Sequence, residues 1–148
     1  MKNSGYDQMV KFYAGEKALQ KYDNAIRILF SEDGLRPYVK DWPAIEHFLL
    51  ARLWEEVVST QNSELVALYQ EIERLATSKG PVHFEMDSNL PVMSLVLGKN
   101  AEKASFFTTI TTLGTPLDLT TQELRIELLF PSDDATKRMF PLDDRTIR

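Results

Sequence analysis

The sequence predicts an α+β domain in which helices fill the first half of the chain and an antiparallel meander fills the second. Three observations predict it. Apolar residues recur at helical spacing from Glu16 to Ala76. β-Branched and aromatic residues take over after Val82. Gly- and Asn-containing breaks then divide the second half into runs of strand length.

The first element is the least defined. "QMVKFYA" reads as one short strand ahead of the helices. "EKALQKYDNAIRILF" carries Ala18, Leu19, Tyr22, Ala25, Ile26, Leu29 and Phe30 at helical spacing, with Asn24 as a break into two short helices. "SEDGLRP" ends it, because Asp33-Gly34 is a turn signal and Pro37 opposes continuation.

The next helix starts at Asp41, whose carboxylate is expected to cap the first turn, with Pro43 placed where no backbone donor is needed. Ile45, Phe48, Leu49, Leu53 and Val57 form a stripe widened by Leu50, Trp54 and Val58, broad enough for burial on two sides. A third helix begins near Asn62 or Ser63, shows Leu65, Leu68, Tyr69, Ile72 and Leu75, and stops at "SKGP". The two long helices are predicted to form an antiparallel hairpin.

"PVMSLVLG", "ASFFTTITTL" and "QELRIELLF" supply three strands, joined by a turn over Gly98 to Lys103 and a longer loop over Gly114 to Thr121. Leu124, Ile126, Leu128 and Phe130 alternate with Arg125 and Glu127, whose charges are expected to pair with a neighbouring strand. In the middle strand Phe106, Thr108, Ile110 and Thr112 share one face. Seven threonines between Thr108 and Pro131 suit a pleated surface, since their branched Cβ packs there while the hydroxyl tolerates water. A short helix, "SDDATKRMF", follows a Ser/Asp cap, and "PLDDRTIR" is a tail. The expected organisation is one domain over 1–140 and a tail over 141–148.

Composition narrows the function. The 148 residues are 43% apolar and 26% charged, as in a soluble globular domain, and a formal charge of -5 lacks the basic surplus of a direct nucleic-acid binder. With no cysteine, disulfides, thiolate nucleophiles and cysteine-held metals are excluded. The N-terminus has no secretory run and no apolar stretch approaches membrane-spanning length, so a cytoplasmic setting with no membrane partner is expected.

No Gly-rich phosphate loop occurs among the six glycines. His47 beside Glu46, and His83 near Glu85 and Asp87, would need further ligands to hold a metal. The carboxylate pairs Glu55-Glu56, Asp133-Asp134 and Asp143-Asp144 do not read as catalytic dyads; Asp133 and Asp134 suit a helix start. Asp118, Glu123 and His83 are the residues a hydrolase or isomerase would have to use, but "TPLDLTTQEL" better fits a loop fixed by Asp118 and Thr120. No catalytic residue, cofactor or metal site is predicted.

Two segments carry a family resemblance. "LFSEDGLRPYVKDWPAIEHFLLARLWEEV" with "SELVALYQEIERL", and "SFFTTITTLGTPLDLTTQELRIELLFPSDDATK", resemble the ligand-binding domain of MmyB-like transcription regulators, a PAS-like domain. The shared positions are Asp33, Gly34, Leu35, Pro37, Trp42 and Leu49 to Leu53, then Leu113 to Pro116, Asp118, Thr120, Glu123, Leu124, Ile126, Glu127, Phe130, Pro131, Asp133 and Thr136. The likeness spans about Ile26 to Lys137. It implies a module of a bacterial transcription regulator in which a ligand sits between a curved sheet and helices. The family's Xre-type helix-turn-helix does not fit before Glu16, so the chain reads as a stand-alone module or a fragment with no direct nucleic-acid contact. "YDQMVKFYAGEKAL" would stand for the second strand and its following helix, with the first strand missing and a sheet edge open to a homodimer partner.

At the place the resemblance implies, the expected ligand-binding residues are Phe48, Leu50, Trp54, Tyr69, Leu95, Phe106, Thr108, Ile110, Ile126 and Leu128. Their apolar and aromatic character suits an apolar small molecule such as a fatty acid, with Thr108 or Thr112 as polar anchors. The same residues are also what a filled core would need. A protein-interaction module, using the sheet edge or the helix of Trp42 and Trp54, is the alternative.

Overall fold

Helices do occupy the first half and an antiparallel meander the second. A computed structural model describes residues 4–77, 92–113 and 124–141, and describes only the backbone at 4, 92, 109–113 and 124–128. Among these residues are six helices: α1 (Ser4–Ala14), α2 (Glu16–Lys21), α3 (Ala25–Phe30), α4 (Trp42–Thr60), α5 (Ser63–Leu75) and α6 (Asp134–Met139). Three strands, β1 (Val92–Lys99), β2 (Glu102–Leu113) and β3 (Leu124–Pro131), form one antiparallel sheet in the order β1-β2-β3.

The expected strand over "QMVKFYA" is instead part of α1. Widening the window by two residues supplies the reason: Tyr6, Met9, Val10 and Tyr13 follow i, i+3, i+4, i+7, and all four face the core. The reading of this stretch as the second strand of the sheet falls with it. Gly15 closes α1 in the left-handed region at φ 84°, where its N–H reaches the carbonyls of Val10 and Lys11, both at 3.1 Å. Asn24 divides α2 from α3 by accepting a hydrogen bond from the Ile26 N–H at 2.8 Å.

At the head of α4 the expected carboxylate cap is absent. Asp41 takes the left-handed conformation (φ 54°, ψ 47°), which aspartate tolerates, and its side chain makes no cap bond; its carbonyl accepts the first helical N–H groups, from Ala44 and Ile45. α5 begins where expected, at Asn62–Ser63, and Asn62 is its cap, accepting from Glu64 N–H at 2.8 Å. Asp133 caps α6 through the Thr136 N–H at 2.7 Å, and that bond holds its carboxyl below the usual range.

The sheet register is continuous, Leu95 facing Phe106 in the first pair and Thr108 facing Leu129 in the second. Arg125 and Glu127 lie opposite Thr112 and Ile110 in the register. The outer edge of β1 is partly covered, because Val39 bridges Leu97 and the Lys40 N–H donates to the Val96 carbonyl at 2.8 Å. One core cluster joins Met9, Val10 and Tyr13 of α1 to Ile45, Leu49, Leu50 and Leu53 of α4, and to Met93, Leu95, Leu97, Ala104 and Phe106 of the sheet. Residues 78–91 and 114–123, with His83, Gly80, Pro81, Asp118, Thr120 and Glu123, and residues 142–148 lie outside the described residues.

Candidate functional site

One face of the β1–β2 pair is apolar because its inward positions are. Directly opposed residues in an antiparallel pair share a face, so the rows Met93–Thr108, Leu95–Phe106 and Leu97–Ala104 line up on one side. All six are buried, while Ser94 between them is exposed. Thr108, at 4% exposure, is the hydroxyl on this face, and Leu129 lies opposite it, half-buried against the core. Leu49, Leu50 and Leu53 bring the broad stripe of α4 into the same cluster.

Aromatic rings close one end of this layer. Phe140, just past α6, lies 5.8 Å from the ring of Phe106, 5.8 Å from Phe12 and 6.3 Å from Tyr13. Tyr13 also meets Tyr38 at 5.6 Å. Its hydroxyl is buried without a hydrogen-bond partner. Burial, and next the charge of Glu102, push that phenol up from its ordinary pKa. Lys99 Nζ caps the end of α1, donating to the carbonyls of Phe12 (2.8 Å) and Tyr13 (3.1 Å).

The expected binding residues do not all meet. Leu50, Leu95, Phe106 and Thr108 are buried, the first three within one cluster, with Phe48 and Tyr69 half-buried against it. Trp54 is 51% exposed and pairs with Tyr69 at 5.2 Å. Ile110 continues the alternation of Phe106 and Thr108 along β2. Ile126 and Leu128, expected beside Phe106, fall in register with Thr111 and Thr109, the alternating set. The physical reason is parity: Phe106 faces Pro131, so odd-numbered positions of β3 share its side. On the other side, Phe107 and Phe130 stack at 5.2 Å.

Glu46 is the polar residue that composition did not single out. Fully buried on α4, it accepts hydrogen bonds from Trp42 Nε1–H (3.2 Å), the Thr77 N–H (2.6 Å) and the Thr77 hydroxyl (3.2 Å). Its spacing of four from Trp42 was the available signal. Phe30 meets the Trp42 ring edge-on at 4.9 Å, and the Arg36 guanidinium lies 5.3 Å from that ring. Other positions of the shared motif also hold the frame. Gly34 sits where an added Cβ would be 2.0 Å from the Ile28 carbonyl oxygen, which accepts the Leu35 N–H at 2.8 Å. Asp33 accepts from Lys21 and Tyr22, and these bonds hold its carboxyl below the usual range. The buried Thr136 hydroxyl accepts the Ser105 N–H at 2.9 Å, fixing α6 to β2.

A family model described as the MmyB-like transcription regulator ligand binding domain matches residues 1–142. The chain belongs to that family. No curated protein and no solved structure matches it. The family is one of ligand-binding domains of transcription regulators, and this chain adds an apolar, helix-covered sheet face with few polar groups. Among the described residues, no helix of this family member is long and apolar enough to cross a membrane, and no group of three or more His, Asp or Glu side chains is placed to hold a metal ion.

Proposed function

We propose that the chain is the effector-sensing module of a transcription regulator, non-catalytic, taking an apolar small molecule such as a fatty acid between the sheet and α4. The observation that carries this reading is the buried Leu95, Phe106 and Thr108 face packed with Leu50 of α4: three apolar walls and one hydroxyl. Phe48 and Tyr69 flank the guest. Apolar lining with a few polar groups favours a greasy ligand over a sugar or nucleotide. Each buried methylene contributes about 0.8 kcal/mol, so a long chain binds with little polar help.

Native mass spectrometry of protein purified from cells tests this. The expected spectrum carries added mass that is lost on denaturation, and adding fatty acid to the stripped chain raises its melting temperature. Absence of added mass, together with no shift across a broad lipid panel, would contradict it. A second reading, a homodimerisation or protein-interaction module, draws on the exposed Trp54 and Val58 (51% and 57%) on one side of α4. Light scattering at high concentration separates the two: the second reading requires association without any lipid.

A further inference from the structure

We propose that the strip of α4 bearing Trp54 and Val58 is a docking surface for a Lys/Arg-rich amphipathic helix of a partner protein. The inference rests on the protein-interaction reading above and deepens it by fixing the partner's charge. It stands with or without a bound lipid.

Four large apolar side chains are exposed among the described residues, and two of them, Trp54 and Val58, lie one turn apart on α4. Half-buried Ala51 extends the stripe, since positions 51, 54 and 58 recur at helical spacing. At about 1.5 Å per residue the stripe runs roughly 10 Å, a fit for one face of a second helix. The indole does not hang free. The Tyr69 ring of α5 lies 5.2 Å from it, and the Tyr69 hydroxyl donates to Glu73 at 3.1 Å. A ring already held in place loses little freedom on binding, and tryptophan is a residue on which interfaces concentrate their energy.

Charge selects the occupant. α4 and α5 together carry six glutamates and two arginines. Glu46 is buried and Glu71 is taken up by Arg27. Glu55 follows Trp54 in the chain and Glu73 holds Tyr69; both are exposed, and among the described residues neither forms an ion pair. Arg52 lies over the Phe48 ring at 5.9 Å, and Arg74 donates to the Gln70 carbonyl. A second copy would set this patch against itself across a two-fold axis and bring like charges together. An anionic lipid surface meets the same repulsion. A basic amphipathic helix meets neither obstacle. Its apolar stripe covers Trp54 and Val58, its cations face Glu55 and Glu73, and one of them can rest on the indole. A transcription regulator contains such chemistry, because whatever contacts DNA must carry the basic surplus that this chain, at -5, lacks.

Tryptophan fluorescence titration of the full chain tests the assignment. The probes are a synthetic Leu/Lys peptide patterned as an amphipathic helix and the same peptide with Glu for every Lys. The Leu/Lys peptide is expected to bind the wild type, shift the emission to shorter wavelength and weaken as salt is raised. Trp54→Ser should bind it about tenfold more weakly. The double variant Glu55→Gln with Glu73→Gln, which keeps an acceptor for Tyr69, should bind more weakly with a flatter salt dependence. Melting temperatures should stay close to the wild type, since all three positions are exposed. Equal binding of the two peptides, or unchanged affinity in Trp54→Ser, would overturn the inference. A dimer that light scattering shows to depend on Trp54, or Trp54-dependent binding to phosphatidylserine vesicles, would overturn the basic partner. The dimer would leave the interaction reading standing. A wild type that binds neither peptide and stays monomeric would overturn both.

Discussion

The helical frame and the aromatic end of the sheet layer are held in different ways. In the frame, directional polar bonds tie the elements: Glu46 joins α4 to Thr77, Arg27 joins α3 to α5, and Asn62 fixes the start of α5. Around Tyr13, Phe106 and Phe140, contacts are between rings at centroid separations of 5.8–6.3 Å, with a hydroxyl left unbonded. Directional bonds specify one arrangement, whereas ring packing yields to a new neighbour at lower cost. A domain that must admit a guest needs both: a frame that stays, and a boundary that adjusts.

The sharpest way to break this contrast is at Glu46. Replacing it by alanine removes the buried acceptor shared by Trp42 Nε1–H and Thr77, and thermal or urea unfolding should show a loss of about 1.5–3 kcal/mol. Glu46→Gln, which keeps an acceptor, should lose clearly less. Equal losses would mean that the site depends on negative charge rather than on hydrogen bonding.

A smaller effect is expected at the surface tie between α3 and α5. Arg27 grips Glu71 with Nε and Nη2 at 2.9–3.2 Å and also reaches Asp23 at 2.8 Å. Hydrogen bonds from Arg27 hold the Glu71 carboxyl below its ordinary pKa. A lowered folded-state value means that the stabilisation is present above the unfolded carboxylate pKa and fades as pH falls through the folded one. Both side chains are about a third exposed, which limits the coupling to about 0.5 kcal/mol. A double-mutant cycle with Arg27→Ala and Glu71→Ala, repeated at neutral and acidic pH, should give that coupling at neutral pH and lose it in acid. Raised salt should weaken it too.

The two regions also differ in how far they could be read in advance. α4, α5 and the three strands were legible because long amphipathic runs and β-branched runs carry their period internally. The break at Asn24 and the caps at Asn62 and Asp133 were legible for the same local reason. α1 was not, because its period becomes visible only when Tyr6 is counted. Asp41 showed the right residue in the wrong role, since a left-handed backbone there turns its carboxylate away from the cap position. The candidate site was half legible. Leu95, Phe106 and Thr108 follow from alternation within their strands and Leu50 from the helical stripe of α4, but Ile126 and Leu128 required the register of β3 against β2, which a one-residue shift would invert. For Glu46 the spacing to Trp42 was visible locally but the bond to Thr77, far away in sequence, was not, and no local pattern reports that the Tyr13 hydroxyl lacks a partner.

Hydrogen exchange on the stripped chain, with and without dodecanoate, tests the division between frame and boundary most directly. The account predicts added protection in α1, β1 and β2, with the amides of α3, α4 and α5 unchanged away from Leu50. Protection confined to the α4–α5 hairpin around Trp54, with α1 and the sheet unaffected, would contradict it.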